Sequence, residues 1–143
     1  MHQRDLAAIR AHFARMPFAV DLGADVLAAA GGAATVTLPL STRVAWNEDA
    51  FAGAFVGLVA DLAAGAAALG LLPVDRAPMT MAVDFTLTGP TTGSLLRAEA
   101  TLAASHGNAL AFSAVVRAEG ARASVACGAA LVTLRAVEAP RGS

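Results

Sequence analysis

Residues 50–72 read AFAGAFVGLVADLAAGAAALGLL, a run in which Asp61 is the one charged residue. The run is too long and too rich in alanine to be a strand, so it is read as a helix, closed by Leu71-Leu72-Pro73. A helix that is apolar on nearly every face must be covered on nearly every face. Asp61 in its middle, four interrupting glycines and the preponderance of Ala over Leu or Ile argue against a membrane span. The cover must therefore come from the rest of the chain, and the segments C-terminal to the helix have the pattern to supply it.

Met79, Met81, Val83, Phe85 and Leu87 alternate with Thr80, Ala82, Asp84, Thr86 and Thr88, the clearest period-two signal in the chain. Gly89-Pro90-Thr91-Thr92-Gly93 reads as a turn. Strands are expected at Leu95 to Ala104, Ala109 to Ala118 and Ala123 to Val137, with turns at His106-Gly107-Asn108 and Glu119-Gly120. Such short connections favour an antiparallel meander. Upstream of the helix, Leu6, Ile9, Phe13 and Met16 recur at spacings of 3, 4 and 3 as a short amphipathic helix ended by Pro17. Gly23 to Leu40 then gives two short strands around Gly31-Gly32. The expectation is one α+β domain over 1–143, a curved antiparallel sheet wrapped around one long central helix, with a short N-terminal helix and frayed last residues.

Hydrophobic residues make up 57% of the 143, and charged residues 15%, which argues against disorder and points to burial beyond one monomer, hence a subunit interface. A formal net charge of −1, with arginines scattered rather than striped, gives no electrostatic reason to expect nucleic acid. Cys127 is the single cysteine, so neither an intrachain disulfide nor a cysteine metal framework is available; flanked by Ala126 and Gly128, it reads as a packed thiol. The first residues lack the apolar core of a signal peptide, so a cytoplasmic protein is expected. His2 and His12 are read as surface residues and His106 as part of a turn, with no metal-like spacing among them.

Asp61 does not fit its surroundings. A carboxylate in that apolar run must be hydrogen-bonded, protonated, paired across an interface, or lining a cavity where it acts as general base or nucleophile. Ahead of the helix, Asn47 or Asp49 is suited to be the N-cap. Gly53 and Ala54 then fall at the first turn, where backbone N–H groups lack intrahelical partners and point at any oxygen beyond the helix end. Trp46 and Phe51 are either core or the wall of an acyl cavity. Gly53 and Asp61 are eight residues apart, roughly 12 Å along a helix. One helix cannot easily offer both to one carbonyl carbon, whereas two antiparallel copies can, which gives two interface sites per homodimer.

Read in order, these segments resemble the hotdog-fold acyl-CoA thioesterases of the phenylacetate-pathway (PaaI-like) type. Met16-Pro17-Phe18, Leu22-Gly23, Val36-Thr37-Leu38-Pro39, Phe51-Ala52-Gly53-Ala54, Leu58-Val59-Ala60-Asp61, Met79 to Phe85 and Gly107 to Phe112 carry the likeness. The resemblance implies hydrolysis of an acyl-CoA thioester in a homodimer or dimer of dimers, with no cofactor beyond the coenzyme A of the substrate. It matches Asp61 to the catalytic carboxylate and Gly53 to the glycine whose N–H polarises the thioester carbonyl. Thr80 falls near the hydroxyl residue that places water or the carboxylate, and Asn47 lies one residue from the family asparagine. Arg76 or Arg97 would stand by the nucleotide.

The chain also departs from that family. Ala52 stands at the usual histidine, Trp46 at the asparagine when counted strictly from Asp61, and Asp49 at a common glycine. An amide at Gly53 survives any side-chain loss, but a missing orienting group costs about 3 kcal/mol of barrier. These departures motivate the alternative of a non-catalytic hotdog protein that binds acyl-CoA or a lipid-like ligand. A hydratase on this fold lacks its expected Asp-plus-His pair, and a purely structural oligomer would pair Asp61 with an interfacial arginine.

Overall fold

A computed structural model describes residues 2–140; the expected fraying at the C-terminal end falls mostly outside them. In chain order the elements are α1 (Leu6–Phe13), α2 (Pro17–Leu22), β1 (Asp25–Ala30), β2 (Ala33–Pro39), β3 (Ala45–Asn47), β4 (Ala50–Phe51), α3 (Ala54–Leu71), β5 (Arg76–Leu87), β6 (Leu95–His106), β7 (Ala109–Glu119) and β8 (Ser124–Glu138). Six strands form one antiparallel sheet in the order β1-β2-β6-β7-β8-β5, and β3 with β4 forms a small ribbon.

α3 packs against all six strands of the large sheet. By length and a mean hydropathy of 1.9 this helix passes for a membrane span, yet 61% of its residues are buried inside the fold. The sheet approaches closely because its inner face is lined with alanines such as Ala98, Ala100 and Ala114, all buried. Where one partner is large the other is reduced to glycine. A Cβ on Gly57 of α3 would lie 2.6 Å from the Phe85 ring, and one on Gly128 of β8 would lie 2.5 Å from Cγ1 of Val56. Such interlocking admits a methyl group on either glycine only if the facing side chain moves.

The expected elements are present, with four corrections. First, α1 stops at Phe13, and Pro17 opens α2 rather than merely ending α1. Met16, the residue before the proline, is pushed to extended geometry (φ −97°, ψ 102°), and proline's fixed φ suits a first helical turn. Asp5 caps α1, its Oδ1 accepting the Ala8 N–H at 2.8 Å, and Gly23 closes α2 in the left-handed conformation at φ 76°.

Second, α3 begins at Ala54, because Ala50–Phe51 is strand β4. The Phe51 N–H donates to the Thr91 carbonyl, and Thr91 Oγ1 donates back to the Phe51 carbonyl at 2.7 Å. Third, neither Asn47 nor Asp49 caps the helix; Gly53 occupies that position without a side-chain bond. Asn47 instead turns its Oδ1 to the Asp49 N–H at 3.1 Å, an Asx turn within the β3–β4 loop. Fourth, the meander covers only β6-β7-β8. β5 pairs with β8 at the sheet edge, so Gly89–Gly93 belongs to a crossover rather than to a hairpin.

β5 is also not the uninterrupted alternation its sequence implies. Thr80 pairs with Leu134 and Ala82 with Thr133, so one extra residue, Met81, bulges from the ladder. Each residue before the bulge therefore changes face relative to those after it. Phe85 and Leu87 lie against Gly57 and Gly53 of α3, and the bulge brings Thr80 to that same helix-facing side.

Candidate active site

α3 is covered by the sheet on most of its circumference. A stripe of Ala54, Phe55, Leu58, Asp61 and Gly65, at helical spacing, keeps partial or full exposure. Asp61 is the polar member of that stripe and is half-buried. Thr80 Oγ1 donates to Asp61 Oδ1 at 2.7 Å, so β5 supplies the carboxylate with a fixed partner. Burial pushes the Asp61 carboxyl above its ordinary value, while the Thr80 hydrogen bond acts in the opposite direction. The second oxygen, Oδ2, is left for another donor.

Behind this pair is a cavity of about 250 Å³, lined by Asp61, Thr80 and His12 together with apolar side chains that include Phe13, Met16 and Phe18. The α1–α2 segment forms its roof. His12 is half-buried rather than a free surface residue, and its Nδ1 is buried without a hydrogen-bond partner. Burial foremost, then the nearby Arg4 and Arg15 charges, lower the His12 pKa, so the ring is neutral at physiological pH.

The structure joins Asp61 and Thr80 and leaves the other sequence candidates apart from them. Gly53 is at the N-terminus of α3, with no backbone acceptor for its N–H among the described residues. Its missing side chain makes room for Leu87, whose Cδ1 would be 2.8 Å from an added Cβ. Ala54, beside it, is exposed. Phe51 is 1% exposed and belongs to the core, while Trp46 is 78% exposed and lines none of the described cavities. Asn47 sits in the exposed β3–β4 turn.

The two arginines expected near the nucleotide are engaged within the chain. Arg76 donates to the carbonyls of Val137 at 3.2 Å and Ala136 at 2.7 Å and to Asn108 Oδ1 at 3.1 Å, clamping β5 to β8. Arg97 pairs with Glu119 across β6 and β7 at 3.0 Å. Cys127 is buried, and desolvation raises its thiol pKa, which leaves it unreactive.

Sequence reasoning passed over His12 as part of this cavity. The signal was its place three residues after Ile9 and next to Phe13, on the border of the apolar stripe of α1. The bulge at Met81 had no sequence signal at all.

No protein-family model matches the sequence, and a comparison with curated proteins finds no similar sequence. Solved structures do resemble the fold. A thioesterase family protein from Silicibacter pomeroyi superimposes with a TM-score of 0.85 at 22% identity, over 92% of this chain and 96% of that one. The PaaI protein of the phenylacetic acid degradation operon of E. coli gives 0.71 at 16% identity, over 93% and 96%. A Bacillus halodurans protein solved with CoA gives 0.64 at 18% identity, over 71% and 70%. With its long helix enclosed by a curved antiparallel sheet of this strand order, the chain has the hotdog fold.

Proposed function

We propose that the protein hydrolyses an acyl-CoA thioester to the free acid and CoA at a site shared by two copies of the chain. The observation that carries this reading is the Asp61–Thr80 pair, a carboxylate held by a hydroxyl at 2.7 Å beside an apolar cavity of about 250 Å³. A carboxylate whose pKa burial has raised is, once ionised, a stronger base than an exposed one. As general base, Asp61 takes a proton from water through its free Oδ2 while the water oxygen attacks the thioester carbonyl. The Gly53 N–H of the second copy stabilises the developing oxyanion. Collapse of the tetrahedral intermediate breaks the C–S bond, and the CoA thiolate leaves and is protonated. As nucleophile, Asp61 would instead form a mixed anhydride that water opens.

Two features support the shared site. Gly53 and Asp61 of one helix are too far apart to meet one carbonyl, and β5 is a twelve-residue edge strand that has no outer neighbour among the described residues and exposes Met79, Met81, Phe85 and Leu87. An open apolar edge of this kind is suited to a second copy. The coenzyme arm would then run along the interface, and the CoA found with the Bacillus halodurans structure supports a ligand of that class. In this scheme no cofactor takes part, and the enzyme works in the cytoplasm as a homodimer or a dimer of dimers.

The test is free-thiol release from a panel of acyl-CoAs by wild type and Asp61→Asn, side by side. Turnover that collapses in the variant supports the proposal, and unchanged turnover overturns it. The replacement of the family histidine and asparagine by Ala52 and Trp46 favours a second reading, a non-catalytic acyl-CoA-binding protein. Saturable binding with no thiol release at high protein concentration would establish that one.

A further inference from the structure

Trp46 is the one tryptophan of the chain and, among the described residues, its most exposed large apolar side chain. The β3–β4 ribbon that carries it is firmly held. The Ala52 N–H donates to the carbonyl of buried Val44 at 2.8 Å, and the Gly93 N–H to that of Asp49 at 2.9 Å. Ala45 pairs with Phe51 and Asn47 with Ala50, so the ladder skips Trp46 and leaves it as the surplus residue of a bulge. The backbone under the indole is thus fixed, while roughly 200 Å² of apolar side chain finds almost no cover in its own chain. Tryptophan in that situation is suited to anchor an interface.

The shared site fixes where that anchor goes. If Gly53 of one helix serves Asp61 of the other, the twofold axis crosses α3 midway between them, at Gly57. Phe85 seats on Gly57 and Leu87 on Gly53, while Thr80 reaches Asp61, so β5 runs antiparallel to α3 and crosses the axis near Phe85. The chain beyond Leu87 therefore passes the Thr80 end of the second copy's β5. That chain is tied to the ribbon, because Thr91 exchanges hydrogen bonds with Phe51 and Thr92 bridges to Ala50. Each ribbon thus stands at the Thr80 end of the other copy, where the cavity opens. Two residues of the cavity lining, Thr80 and Phe18, are exposed. Charge agrees with this docking. Glu48 and Asp49, exposed beside Trp46, are opposite in sign to Arg15, exposed beside the cavity residue Met16.

We infer that Trp46 of each copy closes the mouth of the other copy's cavity and forms a wall against which the acyl chain lies, a specificity-determining residue supplied in trans. The inference rests on the shared-site reading above. Within one chain, Asp61 and Thr80 border a cavity that is open to solvent; the second copy's indole covers it and adds apolar contact for the acyl methylenes. The departure from the family at position 46 thereby acquires a role. An amide there would orient its neighbours by hydrogen bonds, whereas an indole does so by contact.

The experiment mixes two defects. Thiol release from acetyl- and octanoyl-CoA is measured for wild type, Trp46→Ala, Trp46→Phe, and heterodimers of Trp46→Ala with Asp61→Asn chains, isolated by two affinity tags. Trp46→Ala is expected to lower the octanoyl-to-acetyl ratio of kcat/KM about tenfold, the weight of a lost apolar contact, and Trp46→Phe to keep most of it. In the heterodimer, one of the two sites joins an intact Asp61 to an intact Trp46 only if the indole acts in trans. The wild-type ratio should then return, at about half the wild-type rate per dimer. Because Trp46 is the sole tryptophan, its emission reads this one position. Bound to Asp61→Asn, 8-bromooctanoyl-CoA is expected to quench it, and unbrominated octanoyl-CoA to quench it far less.

An unchanged ratio in Trp46→Ala, a heterodimer that keeps the Trp46→Ala ratio, or equal quenching by the two octanoyl thioesters would overturn the inference while leaving hydrolysis at Asp61 standing. Should Trp46→Ala fail to dimerise, the quenching decides, since it leaves position 46 untouched. Bromine-dependent quenching without thiol release from any acyl-CoA would uphold the inference and overturn hydrolysis instead. Absence of both binding and turnover would overturn the two together.

Discussion

The two halves of α3 solve the same burial problem in opposite ways. In the N-terminal half, glycines receive the large side chains of β5, with Gly53 under Leu87 and Gly57 under Phe85. In the C-terminal half, Gly65 faces open space, with nothing within 4 Å of where its Cβ would be, and borders the cavity roofed by α1 and α2. Glycine at one end therefore enables contact, and at the other keeps a volume empty. Asp61 lies at the boundary, where the close packing of one half gives way to the cavity of the other.

That contrast can be broken at Asp61 first. Asp61→Asn is expected to lower thiol release by about 10²- to 10⁴-fold, the usual weight of a general base, in a steady-state assay. The same variant has a stability signature of opposite sign. The folded-state pKa of Asp61 is raised, so the favourable contribution is complete at low pH and is lost as pH rises through the folded value. Asp61→Asn should therefore melt higher than wild type at pH 7, and the gap should close in acid. For activity the base must be ionised, so the acid limb of kcat/KM is expected above the ordinary aspartate range.

Filling the packed half should cost stability. Gly57→Ala drives a methyl group into the Phe85 ring, and since Phe85 sits on the edge strand it can give way, limiting the loss to about 1–3 kcal/mol by chemical denaturation. Next in size is Thr80→Val, which removes the bond that opposes the upward shift of Asp61. Activity is expected to fall about tenfold, a hydrogen bond's worth, with the acid limb of the pH–rate profile displaced further upward, and Thr80→Ser is expected to restore both.

The smallest effect sharpens the comparison from the open half. Gly65→Ala meets no atom, so helix propensity should raise stability by up to about 1 kcal/mol. Its methyl group enters the cavity, so the length preference in an acyl-CoA panel is expected to shift to shorter chains. A stability loss at Gly65 comparable to that at Gly57 would contradict the distinction between the two halves.

What the sequence disclosed and what it withheld divide along physical lines. The helix around Asp61 and the strands of the second half were legible because their apolar periodicity is long and local. Asp61 drew notice as a lone charge in an apolar run, and Thr80 through family resemblance. The pairing of β5 with β8 was not legible, because sheet order is set by contacts remote in sequence. Nor was the start of α3, where Ala50–Phe51 has apolar residues that suit a strand equally well. Asn47 and Asp49 look like caps by type, yet the chain needed them in a turn. His12 was hidden because its role depends on an element packed some fifty residues away.

The bulge at Met81 carries a consequence for inheritance. On a regular strand, Thr80 and Phe85 would point to opposite faces, since their positions differ by an odd number, five. One surplus residue lets the hydroxyl that serves Asp61 and the ring that seats on Gly57 share a side. Loss of a single codon between 80 and 83 would thus leave every neighbouring side chain chemically intact, keep a strand able to zip to β8, and still turn either the hydroxyl or the ring away from the helix. Descendants of this chain can exchange the other side chains of β5 more freely, but Thr80, Phe85 and the length of strand between them must be kept together for the site to exist.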